Sequence, residues 1–331
     1  MFRSAFLTIF LLPVYIGLAQ TSALKAPNTP PLLSNEPTTD AQHREQFDVL
    51  MVNRTEFSET QVETGQTATF PIYTEDLLRV QWRQHDAIDV SLVKPAGIKK
   101  PPVVIFLYGY GTDPDKFLNQ KLCETIASKG FAAVGFQSAL TGPRYHDRPL
   151  KQWFVSELQE SIGASVHDVQ LMIDYLETRA DLDTGRIGIY GQGSGGAISI
   201  LAAAVDPRIK AIDVMNPWGD WKDWLALSPV VPDEERASLT SPMFLEKVQP
   251  VEPIRVMHDL EDRPFRLQEA LFDSAVPEAA REKIEEALPR NAKLVRYAGL
   301  ADYATKVTQN GRMLDWLQTQ LSGVSPALSS N

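Results

Sequence analysis

Residues 191–196 read Gly191-Gln192-Gly193-Ser194-Gly195-Gly196, with a short apolar run before them and a helical pattern after. A glycine-rich turn between a strand and a helix suits two unrelated chemistries. It can cradle a dinucleotide pyrophosphate on helix N–H groups, with an acid about twenty residues on for the ribose. Asp213, 22 residues after Gly191, stands near that distance. Alternatively it can carry a nucleophile at the apex of a strained turn, in the pattern G-x-S-x-G. The residues two before and two after the nucleophile must then be small, because strand and helix nearly touch there.

The second chemistry sets a reading frame. Gly191 and Gly195 are the small pair and bracket position 193, which is glycine. The nucleophile position therefore lacks a hydroxyl. Ser194 is the alternative nucleophile, but only if the frame moves by one residue, which puts bulky Gln192 where the crossing has least room. Its plainer role is a polar residue in the first helical turn, where N–H groups need partners. The dinucleotide-binding oxidoreductase stays open as a third reading, with three points against it. Strand–helix units precede the turn, Asp213 falls inside a strand pattern, and too few strands follow residue 216 to complete a nucleotide domain.

The elements that must position this turn follow from periodicity. Strands are expected at Val80–Trp82 and Ile88–Lys94, then at Val103–Tyr108, Phe131–Phe136, Ile187–Tyr190, Ile209–Met215, Phe265–Ala270 and Ala292–Tyr297. Helices are expected at Leu118–Lys129, from about Val155, and at Ala197–Val205, Pro277–Leu288 and Asn310–Leu321. In the long helix from Val155, Ile162, Val166, Val169, Ile173 and Leu176 form one apolar stripe. Alternating strands and helices imply an α/β fold: a mostly parallel, doubly wound sheet flanked by helices, with its chemistry at the carboxyl ends of strands.

The chain has 331 residues, a formal net charge of −10 and one cysteine, Cys123. A single cysteine allows no internal disulfide and no thiolate metal cluster, and no metal or cofactor is implied. With no basic run, nucleic acid is not an expected partner. Residues 1–23 read as an export signal, with Arg3 before a short apolar run and small residues after it, and cleavage is expected after Ala19 or Ala23. That run is too short for a confident membrane span, so none is expected in the mature form. Residues 24–60 are read as a Pro-rich linker or extension, 61–322 as the catalytic-type domain, and 323–331 as a disordered tail. The destination is export, periplasmic or secreted.

Taken together, "VVIFLYGYG", "DLDTGRIGIYGQGSGG", "DPRIKAIDVMNPWGDW", "RPFRLQEALFDSAVPEAA" and "LVRYAGLADY" resemble the α/β-hydrolase superfamily, near its dienelactone-hydrolase, acetyl-xylan-esterase and prolyl-oligopeptidase-like branches. The resemblance covers roughly residues 75–322 and implies the order nucleophile, acid, histidine. It places the acid at Asp273, with Asp262 a weaker candidate. It places the histidine in the loop after the last strand, where Asp302 stands instead. The histidines are 43, 85, 146, 167 and 258, all outside that loop. His146 is the one in a loop that could face the site, while His167 and His258 read as packing or cap residues. The resemblance also implies an oxyanion hole from the backbone N–H groups of Tyr110 and Ser194, and a small helical lid at about 217–262. Trp218, Trp221 and Trp224, three apart, open that lid either as an aromatic wall for a small-molecule, sugar or ester ligand or as pins holding it down. Tyr303 is expected nearby. With Gly193 and Asp302 at two triad positions, no triad mechanism is available. The expected protein is an exported homologue that binds without catalysing.

Overall fold

The computed structural model describes residues 45–84, 86–109, 119–136, 138–140, 157–260 and 262–322. The export signal, the tail 323–331, Tyr110, His43, His85 and His146 lie outside the described residues.

Among the described residues nine strands form one sheet: β1 (Gln61–Thr69), β2 (Tyr73–Arg83), β3 (Asp86–Pro95), β4 (Pro102–Leu107), β5 (Ala132–Phe136), β6 (Asp183–Gln192), β7 (Ile209–Met215), β8 (Phe265–Ala270) and β9 (Lys293–Tyr297). Their order is β1-β2-β3-β5-β4-β6-β7-β8-β9. β1 to β3 are antiparallel, β3 meets β5 antiparallel, and every later pairing is parallel. β4 runs Val-Val-Ile-Phe-Leu without alternation, and all five of those residues are buried. An unbroken apolar strand is what a parallel sheet covered on both faces requires. The first hairpin is longer than the sequence suggests, and β1 is an addition to the expected elements. β1 is polar and exposed along nearly its whole length, so it leaves no hydrophobic alternation to detect.

Helices α1 (Gln120–Ser128), α2 (Leu158–Glu177), α3 (Ser194–Val205), α7 (Glu278–Glu286) and α9 (Asp315–Ser322) alternate with the strands. Between β7 and β8 come α4 (Trp221–Leu227), α5 (Asp233–Leu239) and α6 (Pro242–Val248), the expected helical lid, and α8 (Leu300–Tyr303) follows β9. The whole apolar stripe of α2 is buried.

Described backbone ahead of β1 begins at Glu45. Residues 45–54 are bound to one stripe of α2. The side chain of Gln170 accepts from the Val52 N–H at 3.2 Å and donates to the Leu50 carbonyl at 2.8 Å. His167 is bonded through Nδ1 to Glu45 and through Nε2 to the Val49 carbonyl, each at 2.7 Å. Arg54 pairs with Asp174 at 2.6 Å. Gly163, His167, Gln170 and Asp174 follow helical spacing, so one face of α2 carries the whole strap. Pro-rich composition ahead of this segment hides its docking, because the partners are polar groups more than a hundred residues away.

Gly163 is where the strap crosses closest: a Cβ there would sit 2.3 Å from the Phe47 carbonyl oxygen. Helix propensity alone makes Gly163→Ala stabilising by about 1 kcal/mol. The crossing reverses the sign, and a loss of about 1–3 kcal/mol is expected from overpacking against backbone. Thermal melts and limited proteolysis check this: Tm falls and cleavage near residues 45–54 precedes global unfolding. A Tm that rises, with the strap protected, refutes it.

Candidate functional site

Gly193 is the sharpest residue of the turn between β6 and α3, with φ 57° and ψ −121°. Few side-chain-bearing residues adopt that backbone without strain. The turn is held on both sides. The Gly193 N–H donates to the Met215 carbonyl at 3.0 Å, and its own carbonyl accepts from the Gly196, Ala197 and Trp218 amides at 3.0–3.2 Å. A Cβ on Gly191 would come 2.3 Å from the Gly195 oxygen, and one on Gly195 would come 2.3 Å from the Leu107 oxygen. At Gly193 the nearest atoms would be Trp218 Nε1 at 3.5 Å and Gly109 Cα at 3.6 Å, ordinary contacts. Residues 191 and 195 are therefore the steric pinch, and 193 alone has room for a side chain. Ser194 opens α3 and is completely buried.

Asp273 follows β8. Its Oδ2 accepts from Asn216 Nδ2 at 2.5 Å and its Oδ1 from the Ala275 N–H at 3.0 Å. Asn216 follows β7 with φ 42°, a left-handed conformation that asparagine tolerates better than most residues. Its Oδ1 accepts from the Ala270 N–H at 2.8 Å, so one side chain ties the end of β7 to the end of β8 and to the carboxylate. Sequence reading passed over Asn216; the Asn-Pro pair immediately after a strand is the signal that could have found it.

Asp302 lies in α8. Its Oδ2 accepts from the Ala298 N–H at 3.1 Å and from Lys306 Nζ at 2.8 Å. The Lys306 ammonium, helped by the Ala298 N–H, holds its carboxyl below the usual carboxylate range. An ionised, lysine-bound carboxylate is a poor proton acceptor at neutral pH. Gly193, Asp273 and Asp302 thus stand after β6, β8 and β9, all on the carboxyl side of the sheet.

The aromatic residues expected near a ligand are placed as follows. Tyr303 is buried, its hydroxyl 2.8 Å from that of Tyr190 and its ring edge-on to Tyr297. It packs against the sheet face. Trp221 and Trp224 are buried too; their indole N–H groups donate to the Val251 and Ala275 carbonyls at 2.9 and 3.0 Å. Their spacing serves to pin the lid. Of the three tryptophans, Trp218 is the one against the elbow, and its ring also packs on Trp224. His167 is packed under the strap, and His258 is exposed in a 3-10 turn beside Asp259. Asp262 is exposed in the turn before β8.

Asp213 is spent structurally. Within β7 it is fully buried and accepts from Arg266 at 2.8 and 2.6 Å and from Gln268 at 2.9 Å. It offers nothing to a ribose, and the dinucleotide reading falls with it. Among the described residues no cluster of histidine, cysteine and acidic side chains could hold a metal ion.

Two carboxyls near the site are raised. Burial pushes Glu252 up to about 7, although it accepts the Asp220 and Trp221 N–H groups that begin α4. Glu269 in β8 goes from an ordinary 4.5 to about 8, through burial first and then the neighbouring Glu285 carboxyl. A group raised in the folded state favours folding fully below its unfolded value and loses that contribution as pH climbs to the folded one. Stability is therefore expected to fall between pH 5 and 9. Glu269→Gln should flatten that slope and be the more stable form at pH 8.5 by on the order of 3 kcal/mol. Urea titrations across this range check it, and a slope unchanged from the parent chain counts against the assignment.

The dienelactone hydrolase family model matches residues 88–301. The acetyl esterase Axe7A of Xylanibacter ruminicola is 24% identical over 202 residues, covering 56% of this chain and 45% of that protein. The chain thus spans less than half the length of this relative. Among solved structures, an acetyl xylan esterase from Paenibacillus sp. R4 aligns with a TM-score of 0.56 and 18% identity, over 80% of this chain and 89% of that one. An S-formylglutathione hydrolase from Agrobacterium tumefaciens aligns with a TM-score of 0.57 and 17% identity, over 78% and 99%. These structural likenesses concern the α/β-hydrolase fold.

Proposed function

This chain belongs to the dienelactone hydrolase family, and from that premise we propose that it has lost triad catalysis and acts by binding. The ligand is a small molecule bearing a carbonyl or carboxylate, its oxygen facing the first turn of α3, where the helix dipole favours negative charge. One observation carries the reading: the apex of the elbow is Gly193, with room for a side chain and none present. Asp302 supports it, because a carboxylate held by Lys306 cannot take the place of an imidazole. The relatives' printed activities, on acetyl esters and acetyl xylan, suggest an acylated sugar or its released acid as the ligand.

A serine-directed fluorophosphonate and p-nitrophenyl acetate test this on the same sample. No labelling and no burst are expected. Stoichiometric labelling at Ser194 would establish an active enzyme with a displaced nucleophile and end the proposal. Export is proposed on residues 1–23 alone, and N-terminal sequencing of the protein from a secreting host checks it. A mature chain that begins after Ala19 or Ala23 agrees; an intact Met1 does not. Among the described residues no helix is long and apolar enough to cross a membrane.

A further inference from the structure

Between the edge strand β9 and helix α9 lies a groove of about 850 Å³, lined by none of the residues of the turn at Gly193. A volume of that order suits a ligand of several rings. Its wall carries four cations, Arg266, Lys293, Lys306 and Arg312, on a chain whose net charge is −10. Three carboxylates answer them. Asp213 takes Arg266 at 2.6 Å, Asp302 takes Lys306 at 2.8 Å, and Asp315 meets Arg312 at 3.4 Å. Asp315 is also neutralised by Lys129. Among the described residues four cations against three carboxylates leave the groove with a positive balance, carried by Lys293.

The remaining lining narrows the ligand class. It is polar, with the amides of Asn310 and Gln320 beside the half-buried Trp316 ring, over which Arg266 lies at 5.2 Å. Small apolar ligands favour pockets lined by hydrophobic side chains, unlike this one. Carboxylates pair with lysine and arginine, hydroxyl groups exchange hydrogen bonds with amides, and ring C–H faces pack on indole. A polar ligand with several hydroxyls and spaced negative charges meets all three.

We propose that this groove binds an anionic saccharide, a short chain of sugar rings bearing carboxylates. The site uses none of the elbow residues, so its failure and the failure of the binding reading at Gly193 are separate events. Isothermal titration of the full chain with trigalacturonate tests it, with the uncharged galactose trimer and inorganic sulfate as controls. Saturable binding with a Kd below about 1 mM is expected, at least tenfold tighter than for the neutral trimer, and weakening at least tenfold between 50 and 300 mM salt as exposed charges are screened. Lys293 and Arg312 are exposed, so Lys293→Gln with Arg312→Gln should fold normally, keep the parent Tm and bind at least tenfold more weakly. The proposal is overturned by an absence of saturable binding in protein of parent Tm. Equal affinity for the neutral trimer, or a double variant that binds as the parent does, overturns it too. Sulfate binding as tightly as the trimer does so as well, by marking an adventitious ion only.

Discussion

Gly193→Ser combined with Asp302→His is expected to turn over p-nitrophenyl acetate at least roughly 100-fold faster than the unmodified chain, the lower end of what a positioned base contributes. Loss of a triad nucleophile or base costs on the order of 10⁶ in rate, about 8 kcal/mol of transition-state stabilisation, and the losses are not additive because the groups act as one unit. Either substitution alone should therefore do nothing measurable: a serine without a base keeps its proton, and a base without a serine has nothing to activate. The geometry favours the pair. A first side-chain atom at 193 meets only ordinary contacts, and Asp273 is already held by Asn216 and the Ala275 N–H. Replacing Asp302 also removes the carboxylate that now engages Lys306. Adding Asp273→Asn should take most of the gained rate away, since the third group orients the base. A double variant that folds, melts like the parent and hydrolyses nothing would show that these positions do not form a triad.

The sheet was legible because β4 and β5 are nearly unbroken apolar runs and the strands beside them keep apolar residues at regular intervals. β7 and β8 occupy the residues their apolar patterns predict, and the bends beyond them are marked by Asn-Pro and by Asp-Ser. The glycine frame at 191, 193 and 195 was legible for the same kind of reason, since close backbone crossings admit one residue type. What stayed hidden depends on polar pairs distant in sequence. The strap at 45–54 is held by Gln170 and His167, whose spacing on α2 reads as ordinary helix surface. Tyr303 looked like a site residue because it follows the histidine position by one. On a helix one residue is a rotation of about 100°, enough to turn Tyr303 into the core against Tyr190 while Asp302 faces Lys306. The groove beside β9 gathers cations from β8, β9 and the stretch before α9, so no local charge run announces it.

The three glycines of the elbow should differ sharply when each is changed to alanine. At Gly195 the new Cβ meets the Leu107 oxygen at 2.3 Å and the Leu107 carbon at 2.6 Å, both backbone atoms of the central strand β4. At Gly191 it meets the Gly195 oxygen at 2.3 Å, again backbone. Neither neighbour can rotate away, so helix and sheet must separate. A loss of about 3–5 kcal/mol is expected for each, at the upper end of single-substitution effects. Gly193→Ala meets no such contact and pays only for its positive φ, about 1–3 kcal/mol. With Tm falling by ~2–4 °C per kcal/mol in a chain of 150–250 residues, and somewhat less in this longer one, the outer pair should melt several degrees below the middle variant. Thermal or urea unfolding of the three proteins side by side decides it. If Gly193→Ala were the most damaging and Gly195→Ala harmless, the pinch would lie in the other frame. Ser194 would then regain its claim to the apex, because the room for a nucleophile is set by where the backbone pinch leaves space.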